Sequence, residues 1–207
     1  MENILRGDAV LNGGTAANLL RGGLGADVLG GKGGTDYADY LASATGLTVS
    51  LADPGVNTGE AAGDVFISIE GILGSRFDDV LIGSANTNLL GGGAGFDVLD
   101  GGDGIDYAHY QGSSIGLTIS LADPGLNTGN AFNDTYISIE GILGTRYDDV
   151  LIGDDGDNCL RGTGGGDTLD GGDGGDTAEY LSWRALEGGT ASLTDSSGNT
   201  GDAAGDS

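Results

Sequence analysis

A nine-residue spacing of glycine and aspartate limits what this chain can fold into. Residues 74–109 divide into four consecutive nonapeptides, GSRFDDVLI, GSANTNLLG, GGAGFDVLD and GGDGIDYAH. Position 6 of each is Asp or Asn, and position 8 is Leu or Ala. Similar blocks begin at about residue 8, where the first is imperfect, and at residue 144. A fixed internal period predicts a repeat architecture in which each repeat packs on its neighbours.

The blocks belong to a longer unit of 70 residues that runs over 8–77, 78–147 and 148–207. Between blocks, residues 116–122 and 136–140 alternate apolar and polar side chains on either side of an oxygen-rich loop. This pattern predicts a strand–loop–strand insertion that continues the repeat stack, because each piece is too short to bury a core of its own. The third unit stops early, so we expect a single elongated module, 1–207, from a longer protein.

Charge excludes several classes of partner. The chain has 32 Asp and Glu against 7 Lys and Arg, a net charge of −25, and a single cysteine. So large an acidic excess repels phosphate groups, which argues against nucleic acids and anionic membranes as partners. The sequence contains no run of 18 apolar residues, which argues against a membrane span. Residues 1–6 lack the apolar stretch of a cleaved signal peptide.

The hexapeptide G-G-x-G-x-D shows what the repeat can bind. It occurs at 22–27, 92–97, 101–106 and 171–176, with near matches GKGGTD at 31–36 and GTGGGD at 162–167. Glycine allows positive φ and a close backbone approach, so such turns can aim carbonyl oxygens inward. The aspartate adds the hard anionic oxygen that Ca²⁺ prefers. Asx turns also use aspartate, but they do not require this spacing.

These motifs resemble the RTX (repeats-in-toxin) haemolysin-type calcium-binding repeats, and the resemblance covers nearly the whole chain. It implies an all-β, right-handed parallel β-roll with two nonapeptides per coil, and several Ca²⁺ ions between turns eighteen residues apart. The implied side-chain ligands are those at position 6: Asn18, Asp27, Asp36, Asp79, Asn88, Asp97, Asp106, Asp149, Asn158, Asp167 and Asp176. Turn carbonyls are further candidates: Gly22, Gly31, Gly92, Gly101, Gly162 and Gly171.

Three features qualify this ligand set. The asparagines remove a charge and should weaken their column, and Asp27 faces Ala9 and should form a poorer site. The insertions offer a further set that could ligate an additional ion: Asp64, Asp134, Asp206, Glu70 and Glu140. For that set, solvated loop carboxylates are the favoured interpretation.

Other conspicuous residues favour structural roles. His109 is the only histidine, and Asp39 and Glu179 occupy the equivalent positions, so we expect no catalytic role there. Cys159 takes an outward position, and Tyr40, Tyr110 and Tyr180 close the blocks, where they would cap the column of leucines. No catalytic constellation is present in the chain, so we expect it not to be an enzyme.

Three functions remain open at this point. The first is a structural module that folds on binding Ca²⁺ after secretion, as the RTX resemblance implies for type I secretion by Gram-negative bacteria. The second is an adhesive, surface-layer or glycan-binding module with a cell-surface partner. The third is an accessory region of a secreted enzyme whose catalytic domain lies outside these residues. We place the chain outside the cell or at the cell surface in each case.

Overall fold

The computed structural model describes residues 8–179, which form eighteen strands of two or three residues and four single 3₁₀ turns. No α-helix occurs in this range, and no helix there is long and apolar enough to cross a membrane. The strand pairs described in this range are parallel, so the predicted parallel β-roll is confirmed. Tyr180, Trp183 and Asp206 lie outside the described residues.

The described chain falls into two compact units, of which the first contains residues 8–107 and 134–139. Its strands form three groups, given in spatial order. One sheet holds β1 (Val10–Asn12), β3 (Val28–Gly30) and β6 (Val65–Ile67). A second holds β2 (Leu19–Leu20), β4 (Tyr37–Asp39), β7 (Gly71–Leu73) and β9 (Leu89–Gly91). A third holds β5 (Thr48–Ser50), β8 (Val80–Ile82), β10 (Val98–Asp100) and β13 (Thr135–Ile137).

The second unit contains residues 108–133 and 140–179. One of its sheets holds β14 (Gly141–Leu143), β16 (Cys159–Arg161) and β18 (Thr177–Ala178) in that order. Another holds β12 (Thr118–Ser120), β15 (Val150–Ile152) and β17 (Thr168–Asp170). Strand β11 (Tyr107–His109) begins in the first unit and ends in the second.

Register within the blocks confirms that two nonapeptides make one coil. Leu81 pairs with Leu99 and Leu151 with Leu169, an offset of eighteen residues in each case. Position 8 points into the roll, and the leucines there are buried with two exceptions: buried are Leu20, Leu29, Leu81, Leu90, Leu99, Leu151 and Leu160. Leu11 and Leu169 are half-buried, and each lies in a strand at the end of its sheet. Each buried leucine contributes roughly 1.5–3 kcal/mol.

The insertion in the first unit continues the roll, as predicted. Strand β6 pairs back onto β3, and β5 pairs forward onto β8. This leaves β5 at the edge of its sheet, where exposed N–H and C=O groups could pair with another chain. The insertion loop covers that edge: Thr58 Oγ1 accepts from the Thr48 N–H at 2.8 Å, and Asn57 Oδ1 accepts from the Ser50 N–H at 2.7 Å.

Candidate metal centre

Position-6 aspartates form ladders along the roll. In six of them, one carboxylate oxygen accepts a hydrogen bond from the backbone N–H of the position-6 residue eighteen residues earlier, whereas Asp79 and Asp149 accept from Leu47 N and Leu117 N. Asp97 Oδ1 accepts from Asp79 N at 2.9 Å, and Asp106 Oδ1 accepts from Asn88 N at 2.6 Å. Four further pairs repeat this contact: Asp27 with Ala9, Asp36 with Asn18, Asp167 with Asp149, and Asp176 with Asn158. The second oxygen, Oδ2, therefore decides what each turn can bind.

Six turns, which we call open turns, have positive φ at positions 2 and 4. In the turn 92–97, Gly93 has φ 104° and Gly95 has φ 142°. The open turns are 22–27, 31–36, 92–97, 101–106, 162–167 and 171–176. Lys32 at φ 79° and Thr163 at φ 83° adopt this backbone without glycine. The two near matches to the hexapeptide therefore fold like the full matches.

Five other turns, which we call closed turns, have no residue at positive φ at these positions: 13–18, 74–79, 83–88, 144–149 and 153–158. Their position-2 N–H donates to the side-chain oxygen at position 6. Ser75 N donates to Asp79 Oδ2 at 2.5 Å, and Ser84 N donates to Asn88 Oδ1 at 2.6 Å. In the closed turns the position-6 oxygen is therefore already a hydrogen-bond acceptor.

Sequence reasoning missed this distinction, because it ranked the position-6 residues by the charge of the stacked pair and not by the backbone conformation of their turns. The available signal was position 4. It is glycine in every open turn, whereas the closed turns carry Ala16, Phe77, Asn86, Tyr147 and, as the exception, Gly156.

In three of the open turns, one position-6 carboxylate oxygen is buried without a hydrogen-bond partner. Oδ2 of Asp27, Asp36 and Asp97 has no hydrogen-bond partner, and each of these residues is 0% exposed. Burial raises the pKa of the Asp97 carboxyl to about 7, and the nearby charge of Asp134 adds to the rise. A buried acceptor left unsatisfied costs about 1–3 kcal/mol, and more when it is charged. These oxygens therefore call for a cation.

Backbone carbonyls lie beside the position-6 oxygens. A Cβ placed on Gly74 would lie 2.5 Å from the Gly92 carbonyl oxygen and 2.6 Å from Asp79 Oδ2. Ca²⁺ binds oxygens at about 2.3–2.6 Å, so the space that glycine leaves open fits that ion. Four other position-1 glycines have the same pair of neighbours, which brings in the carbonyls of Gly31, Gly101, Gly162 and Gly171. At Gly22 the nearest atoms are those of Asp27.

Acidic side chains alone do not build the centre. Between residues 8 and 179, no group of three or more His, Cys, Asp or Glu side chains is placed to hold a metal ion. An ion held here must therefore take backbone carbonyls together with the position-6 side chains. Oxygen ligands of this kind suit Ca²⁺, whereas Zn²⁺ prefers nitrogen and sulfur.

The insertion carboxylates extend the same ladders. Asp64 Oδ1 accepts from Asp27 N at 2.8 Å, and Asp134 Oδ1 accepts from Asp97 N at 3.0 Å. Both are 0% exposed, so the expectation of solvated loop carboxylates is wrong for them. Oδ2 of Asp64 accepts from the Tyr40 hydroxyl at 2.6 Å, and burial raises the pKa of both groups. Tyr40 therefore caps the core through a carboxylate that sequence reasoning assigned to a loop.

Outward positions carry contacts of a structural kind. Arg21 forms an ion pair with Asp39 at 2.5 Å, which joins adjacent coils. Asp39 occupies the position equivalent to His109 in the first unit of the repeat. His109 itself lies 3.3 Å from the Gln111 side chain. Cys159 is half-buried in β16 and forms no disulfide.

Comparison with known proteins agrees with this geometry. The family model of the RTX calcium-binding nonapeptide repeat (four copies) matches residues 5–38, 73–108 and 143–178, which together make up just over half of the chain. The matched segments contain every open and closed turn, and most of each insertion lies outside them. No curated protein is significantly similar to the chain. RTX repeats bind Ca²⁺ and are typical of secreted proteins. The chain belongs to the RTX calcium-binding repeat family.

Proposed function

We propose that this chain binds several Ca²⁺ ions along its stacked open and closed turns and folds as it binds them. It would do so as a structural module of a larger extracellular protein. The observation that carries this proposal is the set of buried Oδ2 atoms of Asp27, Asp36 and Asp97, which have no partner within the protein. A bound Ca²⁺ ion would neutralise these carboxylates and give each Oδ2 atom a partner.

Each ion would take oxygens from two stacked turns. The open turns contribute Asp27, Asp36, Asp97, Asp106, Asp167 and Asp176, with the carbonyls of their position-1 glycines. The closed turns contribute the side-chain oxygens of Asn18, Asp79, Asn88, Asp149 and Asn158, which lie beside those carbonyls. The protein's part is to hold these oxygens in register, and the eighteen-residue offset of the strands does so.

Charge supports coupling of binding to folding. The net charge is −25, and compaction without cations brings the ladder carboxylates together in a buried environment. Such repulsion destabilises a compact state. Where a site does not exist in the unfolded chain, metal binding and folding are one equilibrium. At the low Ca²⁺ of the cytosol the chain would stay extended, and millimolar Ca²⁺ outside would fold it after export by a type I secretion system.

Far-UV circular dichroism tests the coupling. In chelator the chain should lack β-structure, and added Ca²⁺ should restore it in a cooperative transition. Mg²⁺ is the matched control ion, and it should act poorly because it demands tighter octahedral geometry and loses its water reluctantly. Equal β-content with and without chelator would overturn the proposal.

A further inference from the structure

The insertion returns to the roll through an unusually short turn. In the nonapeptide blocks six residues join consecutive strands, as residues 74–79 do between β7 and β8. Only three residues, Ser68 to Glu70, join β6 to β7. The connection between β6 and β7 therefore has no glycine-rich turn of the nonapeptide kind. A different group must lie where such a turn would place its carbonyl oxygen, beside Asp36.

Ser68 supplies that group through its backbone. Its φ is 51°, which is unusual for a residue other than glycine. The Ser68 carbonyl oxygen and Asp36 Oδ2 both lie where a Cβ on Gly31 would be. Asp36 Oδ2 is buried and has no hydrogen-bond partner. The strained backbone thus aims a carbonyl oxygen at an uncompensated carboxylate oxygen, an arrangement that is repulsive unless a cation lies between them.

The same arrangement recurs in the first unit, one 70-residue repeat later. Ser138 has φ 48°, and its carbonyl oxygen lies beside Gly101 together with Asp106 Oδ2. A feature that appears twice at equivalent positions belongs to the repeat rather than to a chance loop conformation. The open turns 22–27 and 92–97 differ. The three atoms nearest to a Cβ on Gly22 belong to Asp27, and those nearest to a Cβ on Gly92 belong to Asp97.

Glu70 adds a second carboxylate to the Asp36 level. Its Oε2 accepts from Asp36 N at 3.0 Å, and its carbonyl oxygen accepts from Asn88 Nδ2 at 3.2 Å. Ser68 and Glu70 also line an open cavity of about 950 Å³, together with residues of the closed turn 83–88. Solvent can therefore reach these two residues, whereas Asp36 is 0% exposed.

We propose that the short turn of the insertion completes a divalent-cation site made of the Asp36 carboxylate, the Ser68 carbonyl and the Glu70 carboxylate. The insertion then replaces the missing nonapeptide as a source of ligands, so calcium binding continues through the segment that interrupts the repeats. This inference rests on the proposed calcium binding of the nonapeptide turns. The Asp106 and Ser138 pair forms the corresponding site in the next repeat.

Counting bound ions tests the site. The full chain is titrated with Ca²⁺ against a chromophoric chelator, and circular dichroism at saturating Ca²⁺ verifies folding. Asp36→Asn should lose one ion, because the amide can donate to the Ser68 carbonyl in place of the metal. Asp103→Asn, which removes an exposed charge from the open turn 101–106, should keep the full number. Asp36→Asn combined with Asp106→Asn should lose two.

Ser68 tests the backbone ligand directly. Ser68→Val should also lose the ion, because a β-branched residue does not tolerate positive φ and the carbonyl must turn away. Ser68→Gly is the matched control and should retain the ion, since glycine adopts positive φ without strain. Glu70→Gln should keep the ion but weaken its binding about tenfold, because ligand charge sets Ca²⁺ affinity.

Terbium luminescence gives a second readout. Tyr37 follows Asp36, and its ring lies against Gly71, which follows Glu70. In a Trp183→Phe background, Tb³⁺ at this site should be sensitised by Tyr37, and Tyr37→Phe should lower the emission without changing the Ca²⁺ count. If Asp36→Asn loses an ion but Ser68→Val keeps all of them, this inference fails alone. A wild type that binds no Ca²⁺ overturns the proposed function as well.

Discussion

Asp97→Asn should stabilise the folded roll in the absence of calcium and destabilise it in the presence of calcium. Burial and the charge of Asp134 raise the pKa of the Asp97 carboxyl from its ordinary value of 3.8 to about 7. At neutral pH this corresponds to about 4 kcal/mol that opposes the ionised, calcium-free roll. Asparagine has the same shape and no charge, but its buried amide group lacks a partner, which costs about 1–3 kcal/mol. The calcium-free roll should therefore gain roughly 1–3 kcal/mol, while the calcium-loaded roll loses a charged ligand.

The measurement needs folding without calcium. Trimethylamine oxide favours burial, so we expect it to fold the chain in chelator, where circular dichroism follows the midpoint of folding. Asp97→Asn should fold at a lower osmolyte concentration than the wild type and require more Ca²⁺ to fold without osmolyte. Asp103→Asn removes the same charge from an exposed position and should shift both midpoints little. If Asp97→Asn destabilised the roll in chelator as well, the assignment of an uncompensated charge to the open turns would be wrong.

Three further outcomes follow from the same geometry. Asp97→Ala should cost more Ca²⁺ affinity than Asn88→Ala by calorimetry, because Asn88 carries no charge and already accepts from Ser84 N; equal losses would contradict the division into open and closed turns. Leu99→Ala should destabilise the calcium-loaded roll by about 2–5 kcal/mol in urea titrations, since Leu99 is fully buried; a change under 1 kcal/mol would refute a packed core. In chelator, the folded roll should become more stable as pH falls from 7 towards 4. The raised pKa of Asp97 means that the folded state binds more protons than the unfolded chain in this range. A fall in β-content over the same range would contradict this prediction.

The periodicity of the sequence predicts the coil and the core. Position 8 identifies seven buried leucines of the nonapeptide blocks, and the eighteen-residue offset anticipates the pairing of Leu81 with Leu99. The prediction works because each short strand has one side chain that points inward, so the nine-residue period of the sequence marks the buried position. Leu11 and Leu169 depart from this pattern: both are half-buried, and each lies in a terminal strand of a described sheet.

The turns were less predictable, since their conformation depends on hydrogen bonds between distant residues. Asp79 and Asp97 both occupy position 6, yet Ser75 N donates to Asp79 Oδ2 while Asp97 Oδ2 is left without a partner. Likewise, Asp64 lies in a loop by sequence, but its contacts with Asp27 and Tyr40 span 37 and 24 residues. No local pattern encodes pairings at those separations.

Anomalous diffraction tests the central claim most directly. The full chain, crystallised with Ca²⁺ and then soaked with Tb³⁺, would show each ion as a peak in an anomalous difference map. The peaks should lie beside the position-1 glycines, between an open-turn aspartate and the carbonyls of a stacked turn. Peaks confined to exposed carboxylates such as Asp103, with the Oδ2 atoms of Asp27, Asp36 and Asp97 away from any ion, would contradict the account.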